Sequence, residues 1–543
     1  MEWTLPGVQD VIAAAAPNRE MLVHGETRRT YGEVRARSTG LARFLAARGL
    51  GLHRDRAELE RWECGQSTVG LVLHNRCEYL ESMLGCYRAR AVPFNVNYNY
   101  RSGELRALFD MVAAEALIYE RAFGPALAEA IEGLDVVLID VEDGSGEPPL
   151  PGSIGFEQAI GTASNVDLSP PSPDDLYLIC TGGTTGLPKA VLWRQADIFV
   201  AAMSGSDATS AESLQQVAAA DLSGAWFPAP PLMHAAAQWT AFAGLHTGGK
   251  VVLHDDTRRF DAGVILDVCE RESVTMMSIV GDAYARPIIE ALRRQPRKLP
   301  ALARLGTGGA ITSDSCKTEL LELLPGLTIV DGYGASETGG MAFGAKTRES
   351  TNQGFTPGLG AVVLSEDRRR LLEPGAEEVG WTARRGRVPL GYLGDPEKTR
   401  ATFPVIEGVR FAVPGDRAMV ESNGAIRMLG RDAMVINTGG EKVFVEEVEN
   451  ALKDHPAVVD VLVVGRPSSR FGEEVVAIVQ SSPDLPAPTP KDLRDFAGRA
   501  IARFKAPRAV AYCETIGRHP TGKPDYQWAR EQAVHAIPVA EGE

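Results

Sequence analysis

A glycine- and threonine-rich loop between two apolar runs is the segment of this sequence best suited to binding phosphate. Residues 177–180 are predicted to form a buried strand, and a second apolar run follows the loop. Glycines let a backbone approach an anion closely, threonine hydroxyls donate hydrogen bonds and a lysine adds positive charge. The loop combines all three in Thr181, Gly182, Gly183, Thr184, Thr185, Gly186 and Lys189. Because the Walker sequence does not fit it, we predict a triphosphate loop of another kind, with a plain polar linker as the alternative.

A second cluster of candidate residues lies at 331–340, in DGYGASETGG. Tyr333 offers a flat face for a purine, and the neighbouring Gly332 and Gly334 permit close approach. Glu337 offers a carboxylate of the kind that holds Mg²⁺ on a triphosphate, although alone it could equally be a solvated surface acid. Together with the glycine-rich loop, this cluster favours a nucleotide site.

Five stretches, in order, resemble the motifs of the adenylate-forming enzymes, the superfamily of acyl-CoA synthetases, nonribosomal adenylation domains and firefly luciferase. They are the loop at 177–193, DGYGASETGG at 331–340, PGDRA at 414–418, GRDAMVINTGGEKVFVEEVE at 430–449 and GRHPTGKP at 517–524. Five ordered matches over roughly 350 residues are far more specific than any one of them. The resemblance covers essentially the whole chain.

The resemblance implies that these segments bind Mg-ATP. It assigns Tyr333 to the purine, Asp416 to both ribose hydroxyls, and Glu337 and Thr184 to the metal; Thr184 also counts among the implied catalytic residues. The other nucleotide contacts that it implies are Gly308, Gly309, Ala310, Asp331, Gly332, Gly334, Thr338 and Arg431. Among these, Thr338 is expected near the α-phosphate, and the three residues from 308 to 310 border the adenine or the acyl channel.

Lys523 matches the catalytic lysine of the superfamily. A carboxylate that attacks an α-phosphate brings two anions together, and a cation supplied by a mobile domain lowers that repulsion in the transition state. Without the resemblance, Lys523 would be interpreted as a solvated lysine in a turn. Gly439, Gly440 and Glu441 resemble the loop that lines the pantetheine tunnel of coenzyme A, and Lys505 and Arg508 are weaker candidates for its phosphates.

The stretch PAPPLMHAAAQWTAF, residues 228–242, bears on the acid substrate. The resemblance places His234 beside the acyl carboxylate and near the thiol tunnel. Amino-acid-activating relatives have an aspartate just beyond this motif, whereas residues 235–238 are three alanines and Gln238. An uncharged acyl tail is therefore expected, with Trp239 as a wall of the pocket. Alternatively, the alanines simply pack a helix.

Composition limits the other classes of function. With 543 residues the chain is too long for one compact core, and a net charge of −15 argues against sequence-independent nucleic-acid binding. The seven cysteines are scattered and never in C-x-x-C spacing, which indicates free thiols in a reducing cytoplasm and argues against zinc. The sequence lacks a signal peptide and a run of 18 apolar residues, so no stable membrane insertion is expected. A homodimer is left open.

The predicted fold class is α/β. We expect a large N-terminal adenylate-forming domain at 1–430, with several subdomains of mixed sheets flanked by helices, and a small, mobile α+β lid domain at 434–543. Residues 431–433 form the predicted hinge, where Ala433 replaces the Asp or Lys of relatives.

We therefore predict an ATP-dependent acyl-CoA synthetase, which forms an acyl-adenylate and transfers the acyl group to the thiol of CoA. Because the chain ends 20 residues after Lys523, free CoA is expected as the acceptor in place of an attached carrier domain. The sequences of several motifs resemble those of bacterial ligases for long-chain, branched or sterol side-chain acids. A medium-chain or aryl acid stays open as the substrate. A non-catalytic nucleotide- or acyl-binding regulator is the alternative class, against which Lys523 and Glu337 argue.

Overall fold

The computed structural model describes residues 2–162, 166–181, 189–220, 224–254, 260–350, 354–438, 441–468, 471–519 and 523–539. For Asp207, Arg431, Ala433, Asn437 and Lys442 it describes the backbone alone.

The first third of the chain alternates helices with short strands. Its elements are α1 (Leu5–Ala15), β1 (Glu20–His24), β2 (Thr27–Thr30), α2 (Tyr31–Ala46), β3 (Thr68–Val72), α3 (Cys77–Arg88), β4 (Val92–Asn95), α4 (Ser102–Val112), β5 (Ala116–Glu120), α5 (Gly124–Ala130), β6 (Val137–Val141), β7 (Ile154–Gly155) and α6 (Phe156–Gly161). Helix α2 begins with a capping box, in which the Glu33 amide donates to the Thr30 hydroxyl at 3.2 Å and the Thr30 amide to the Glu33 carboxylate at 2.7 Å.

The same alternation continues through the middle of the chain. The elements here are β8 (Leu176–Thr181), β9 (Lys189–Arg194), α7 (Gln195–Ala202), α8 (Ala211–Ala220), β10 (Ala225–Pro228), α9 (Ala235–His246), β11 (Lys250–Leu253), α10 (Ala262–Arg271), β12 (Met276–Ile279), α11 (Gly281–Arg294), β13 (Arg304–Gly308), α12 (Asp314–Leu323), β14 (Thr328–Ala335) and β15 (Gly339–Lys346).

Strands dominate the next part, and helices return at the end. The elements are β16 (Thr356–Pro357), β17 (Ala361–Leu364), β18 (Gly380–Arg385), β19 (Gly391–Tyr392), α13 (Pro396–Thr402), β20 (Val405–Ile406), β21 (Val409–Ala412), β22 (Asp416–Val420), β23 (Ile426–Arg431), β24 (Val435–Thr438), β25 (Glu441–Phe444), α14 (Val445–Lys453), β26 (Val458–Ser468), β27 (Gly472–Ser481), α15 (Pro490–Ala500), β28 (Ala509–Cys513), α16 (Tyr526–Ala533) and β29 (Ile537–Pro538). Short 3₁₀ turns lie at Arg56–Glu58, Arg121–Phe123, Gly205–Asp207 and Asp432–Met434.

Two sheets with long parallel sections carry most of the loops that contain candidate site residues. A nine-stranded sheet has the order β16-β15-β14-β13-β12-β10-β11-β1-β2, and its strands from β14 to β1 run parallel. A five-stranded sheet, β4-β3-β5-β6-β7, is parallel throughout. Since parallel strands end at the same edge, the loops after β10, β13 and β14 lie together, as is usual for ligand sites in α/β sheets.

The remaining sheets are smaller. Strand β8 pairs with β9 and β9 with β19, both antiparallel, and a further antiparallel sheet has the order β20-β21-β18-β22-β23, with β17 beside β18. The C-terminal sheet is mixed, in the order β25-β24-β27-β28-β29, with β26 beside β27. Helices α14 and α15 pack on one hydrophobic cluster of this sheet and α16 on another.

The chain passes from one sheet to the next within a few residues. Strand β23 ends at Arg431, β24 begins at Val435, and the 3₁₀ turn Asp432–Met434 joins them. The predicted hinge at 431–433 overlaps this turn. Its role as a hinge stays a prediction.

Candidate active site

The predicted phosphate loop closes a β-hairpin. In the register of β8 and β9, Thr181 lies opposite Lys189. These two residues are the described ends of the loop, while the predicted contacts at Gly182, Gly183, Thr184, Thr185 and Gly186 lie outside the described residues. The two paired strands therefore bring Thr181 and Lys189, the described ends of the predicted loop, to one end of a short sheet.

Two aromatic side chains join this hairpin to the motif that contains Glu337. The indole nitrogen of the fully buried Trp193, on β9, donates to the carbonyl of Ser336 at 2.8 Å. Tyr392 pairs with Val191 on the same strand, and its hydroxyl donates to Oε1 of Glu337 at 2.8 Å. Strand pairing and hydrogen bonding thus bring the candidate metal ligand to the phosphate hairpin.

Tyr392 also forms the face of a small basic site. The ring centroid lies 6.0 Å from Nζ of Lys189 and 5.5 Å from Nζ of Lys398. An aromatic face attracts such cations by its quadrupole. The sequence carries no signal of this role for Tyr392, because a tyrosine in a short strand has the same pattern as an ordinary core residue; Tyr392 is 4% exposed.

The turn that carries Glu337 is supported from inside the protein. The Thr338 hydroxyl accepts from the Ala335 amide at 2.9 Å, and Thr338 is fully buried. The guanidinium of buried Arg384 donates to the carbonyls of Thr338 and Gly340, each at 2.8 Å. Burial lowers the pKa of Arg384 to about 10, so it stays charged at neutral pH. An α-phosphate contact by the Thr338 hydroxyl would use its O–H, which in this structure is directed to the Gly339 carbonyl at 3.1 Å.

The residues proposed for purine and ribose are hydrogen-bonded to each other. The Tyr333 hydroxyl donates to Oδ2 of Asp416 at 2.6 Å, and Asp416 is 5% exposed at the start of β22. Tyr333 also lies 3.3 Å from the hydroxyl of Thr382. One aromatic ring and one carboxylate therefore lie together at one corner of the candidate site.

Glycines in this region allow close backbone contacts. A Cβ at Gly308 would lie 2.6 Å from the Gly332 carbonyl, and one at Gly334 would lie 2.2 Å from the Gly339 carbonyl. Gly309 adopts a φ of +76°, in the left-handed region, and is followed by the partly buried Ala310. The glycines predicted from the nucleotide motifs thus also have a structural function.

Asp331 has a partner within the protein. Nζ of Lys317 lies 2.5 Å from its Oδ2. Burial raises the pKa of Asp331 above its usual range, and the charge of Lys317 opposes that rise. Any nucleotide contact by Asp331 would have to share the carboxylate with this lysine.

His234 and Lys523 interact electrostatically although they are far apart in sequence. His234 precedes α9 in the N-cap position, and its Nε2 is buried without a hydrogen-bond partner among the described residues. Burial first, and then the positive charge of Lys523, lower the pKa of His234 to about 3. The imidazole is therefore neutral at physiological pH, and the C-terminal domain places its lysine within electrostatic range of it.

The turn that carries Lys523 is anchored on β26. The Arg518 guanidinium donates to Oδ2 of Asp460 at 2.5 Å and 3.1 Å. Arg518 also pairs with Pro524, and the His519 amide donates to the Lys523 carbonyl at 2.9 Å. These contacts hold both sides of the turn, whose residues 520–522 are not described.

The candidate contacts for coenzyme A are less complete. Nζ of Lys505 lies 2.7 Å from both oxygens of Glu447, and the Arg508 guanidinium lies 3.9 Å from the ring centroid of Phe471. Glu441 is exposed and starts β25 opposite Thr438. Gly439, Gly440 and the side chain of Arg431 lie outside the described structure.

The stretch after His234 forms the start of helix α9. Ala237 is buried, and Gln238 is 2% exposed. The Gln238 amide donates to the Leu232 carbonyl at 2.8 Å and accepts from the Tyr177 hydroxyl at 2.6 Å. Gln238 is thus occupied by internal hydrogen bonds, and both interpretations of the alanines stay compatible with the helix.

The sequence NVNYNY at residues 95–100 predicts a surface turn, with a functional loop as the less favoured alternative. Asn95 is in fact buried, at 6% exposure, and binds the backbone of Cys180 and Met233. Its type and position gave no signal of this, because both partners are distant in sequence.

Glu337 offers a single carboxylate to a metal ion. The described residues contain no group of three or more His, Cys, Asp or Glu side chains that could hold a metal ion. Mg²⁺ that arrives with a nucleotide needs only one or two carboxylates, since phosphates and water supply its other ligands. The partly buried carboxylate of Glu337, oriented by Tyr392, fits that requirement.

Comparison with known proteins agrees with this geometry. The AMP-binding enzyme family matches residues 10–387, and the AMP-binding enzyme C-terminal domain matches residues 447–523. The chain therefore belongs to the AMP-binding enzymes, as an adenylate-forming acyl-CoA ligase. The predicted enzyme class is thereby confirmed, with ATP and CoA as substrates consistent with the family.

Two named relatives align over almost the full chain. The medium-chain acyl-CoA ligase Mig of Mycobacterium avium is 44% identical and covers 98% of each chain. The 3-oxocholest-4-en-26-oate–CoA ligase of Rhodococcus rhodochrous is 37% identical and covers 98% of this chain and 95% of that protein.

Among solved structures, the anthranilate CoA ligase AuaEII in complex with anthranoyl-AMP has a TM-score of 0.82 at 20% identity, over 98% of each chain. A benzoate CoA ligase from Burkholderia xenovorans LB400 has a TM-score of 0.78 at 20% identity, over 97% of this chain and 100% of that one. These likenesses confirm the predicted α/β fold with its separate C-terminal domain. Within the described ranges, every helix is too short or too polar to cross a membrane.

Proposed function

We propose that the enzyme joins a hydrophobic carboxylic acid, of medium or long chain, branched or with a steroid skeleton, to CoA. The observation that supports this substrate class is the uncharged stretch 235–238 after His234. Gln238 makes hydrogen bonds inside the protein, and the stretch contains no acidic side chain that could pair with the ammonium group of an amino acid. The relatives named for medium-chain and steroid side-chain acids support it.

In the first half-reaction, a carboxylate oxygen of the acid bonds to the α-phosphorus of ATP while the bond to pyrophosphate breaks. We assign Tyr333 to the purine and Asp416 to the ribose. Lys523 offsets the negative charge that gathers on the α-phosphate as the two anions meet. Because His234 is neutral, it forms no ion pair with the attacking carboxylate that would lower the nucleophilicity of that group.

Mg²⁺ bound to the triphosphate would neutralise charge on the departing pyrophosphate. Glu337 would hold it, with Thr184 as a second candidate ligand. The Tyr392 hydroxyl would fix the rotamer of the Glu337 carboxylate, as outer partners of metal ligands commonly do.

In the second half-reaction, the sulfur of CoA bonds to the acyl carbon, the thiol proton is lost and AMP leaves with the bonding electrons. We assign the C-terminal domain, from residue 434, as a lid that turns about residues 431–433 between the two steps. Glu441 and Lys505 are retained as candidate contacts for CoA. We further propose a cytoplasmic location, in keeping with seven free cysteines, and a homodimer remains open to test.

A panel of acids tests the substrate class. Pyrophosphate release should be strong with octanoate, dodecanoate or a steroid side-chain acid and near background with amino acids. Benzoate tests the aryl alternative. Highest kcat/KM with a free amino acid or with benzoate would contradict the proposal, and no release with any acid would favour a regulator.

Lys523→Ala separates the two half-reactions. We expect loss of acyl-AMP formation with retained conversion of supplied acyl-AMP and CoA to thioester, because charge neutralisation at the α-phosphate is needed only in the first step. Lys491→Ala is the control, since Lys491 lies on the exposed face of α15. Equal loss of both steps would rule out a role confined to adenylation.

A further inference from the structure

The phosphate hairpin has an unpaired edge exactly where its loop begins, and one side chain covers that edge. Strand β8 is the last strand of its sheet, β19-β9-β8. At Cys180, the residue before Thr181, the amide donates to Oδ1 of Asn95 at 2.8 Å and the carbonyl accepts from Nδ2 at 2.8 Å. The amide of Asn95 therefore replaces a neighbouring strand at the point where the chain enters the phosphate loop.

The same amide group reaches the acid side of the site. Nδ2 of Asn95 donates a second hydrogen bond, of 2.6 Å, to the carbonyl of Met233. Met233 directly precedes His234, which begins helix α9. Two segments with different proposed ligands, the triphosphate and the acyl carboxylate, are thus joined through one buried side chain.

We infer that Asn95 is a positioning residue that couples the ATP site to the acid site. The inference rests on the proposed function, because it assigns the phosphate hairpin to ATP and the His234 segment to the acid. Asn95 links Cys180, two residues before the undescribed part of the phosphate loop, to Met233, which directly precedes His234. On this inference, the link determines how the α-phosphate and the attacking carboxylate meet.

The chemistry of this position requires an amide. Asn95 uses two N–H donors and one acceptor at once, a combination that among small side chains only an amide supplies. Aspartate would keep the acceptor for the Cys180 amide but would face two carbonyl oxygens without a donor. Leaving such buried groups unsatisfied is costly, so a shift of one or both segments is expected.

Asn75 provides a matched comparison. It is 4% exposed, its Nδ2 donates to the Pro230 carbonyl at 3.1 Å, and its Oδ1 accepts from the Leu232 amide at 2.6 Å. Both partners belong to the loop before His234. Asn75 therefore supports the acid side alone, with the same chemistry and burial as Asn95.

The test compares Asn95→Asp, Asn75→Asp and Asn99→Asp, the last at an exposed turn close to Asn95. Initial rates of pyrophosphate release are measured over a grid of ATP and dodecanoate concentrations, together with the thermal midpoint of each variant. We expect Asn95→Asp to raise both KM values about tenfold or more, Asn75→Asp to raise only that for dodecanoate, and Asn99→Asp to change neither. Should Asn95→Asp fail to fold, Asn95→Ser replaces it.

A purely structural role would lower the thermal midpoint and the active fraction, seen as kcat, but would leave both KM values unchanged. That result, or a rise in only one KM, overturns the inference. Calorimetric titration of each variant with ATP alone distinguishes a failure of the proposed function from a failure of the role assigned to Asn95. The proposed function fails if the wild type binds ATP but converts no acid. The role of Asn95 is rejected independently if Asn95→Asp binds ATP with unchanged affinity.

Discussion

Individual side chains at this site are held by partners from distant parts of the chain. Glu337 receives a hydrogen bond from Tyr392, and the turn that carries it is fixed by Arg384. Tyr333 and Asp416, 83 positions apart, share a hydrogen bond of 2.6 Å. Because these polar groups are already oriented by internal hydrogen bonds, their side chains should lose little further conformational entropy when substrate binds.

Replacement of Glu337 by Gln tests the proposed metal ligand. The amide keeps the size of the side chain but removes its negative charge, so we expect adenylation to fall by about 10²-fold or more and the Mg²⁺ requirement to shift to higher concentration. Pyrophosphate release is measured against Mg²⁺ at fixed ATP, with the exposed Glu373→Gln as control. An unaltered Mg²⁺ dependence would reject Glu337 as a ligand.

The residues that sequence reasoning selected differ in kind from those that it missed. Tyr333, Glu337, Asp416 and Lys523 stand in compact motifs, where residue type and order carry the signal. Tyr392, Arg384 and Asn95 act through buried hydrogen bonds to partners remote in sequence, and a single sequence contains no trace of such pairs. Asp331 and Thr338 were selected, yet the structure shows internal partners that motif matching cannot reveal.

At the scale of elements, the lid contains a buried acid on helix α14. Glu449 is 2% exposed, and it accepts from the Val463 amide at 2.9 Å and from the Tyr526 hydroxyl at 3.1 Å. Burial raises the pKa of Glu449 to about 7 from an ordinary value of 4.5, although the charge of Lys453 opposes the rise. The packing of α14 on β26 is therefore linked to protonation.

Glu449→Gln should remove this pH dependence. The folded lid holds a proton on Glu449 that the unfolded chain releases above pH 4.5. The contribution of protonated Glu449 to the free energy of unfolding is therefore fully present below that pH and is lost as the pH rises through 7. The wild type should lose up to about 3 kcal/mol of lid stability across this window, and the Gln variant should not. Hydrogen exchange of the β26 amides at pH 5 and pH 8 measures this loss of stability, and Glu514→Gln, at an exposed position, is the control. Parallel pH profiles in all three proteins would contradict the linkage.

Predicted elements were found in place, but their ends moved where backbone geometry decides. The apolar spacing of residues 30–50 predicts a helix, which stops at Ala46 because the Leu50 amide donates to the Leu45 carbonyl at 3.1 Å and Gly49 adopts a φ of +77°. The pattern of residues 491–504 also predicts a helix, which stops at Ala500, where the backbone of Ile501 is extended. The apolar run 458–464 predicts a strand, which continues to Ser468 because β27 supplies partners along it.

At the scale of the whole molecule, the charge of Lys523 in the C-terminal domain acts on His234 in the N-terminal part, where it helps to lower the pKa of the imidazole. The packing between α14 and the chain around Gly430, whose φ is +103°, adds a second contact close to the turn at Asp432–Met434. We propose that this arrangement serves adenylation. Thioester formation is expected to require a different lid orientation.

Ala433→Pro tests whether the lid turns here. Proline fixes φ near −65°, which a 3₁₀ turn accommodates, so the variant should hold the present orientation. We expect adenylation to survive while thioester formation falls by about 10²-fold or more. The pyrophosphate burst and thioester formation from preformed acyl-AMP are measured in parallel, with Ala433→Ser as control. Normal rates in both assays would place the pivot elsewhere.

The short link between β23 and β24 also determines how the enzyme responds to dilution. Because only Asp432–Met434 separate the two strands, the proposed catalytic Lys523 would stay near the proposed adenylation site at an effective concentration on the order of millimolar, whatever the concentration of protein. Catalysis by the intact chain is then first order in enzyme down to the most dilute assay. A chain cleaved at this turn would need the two pieces to find each other, and its specific activity would fall as the solution is diluted.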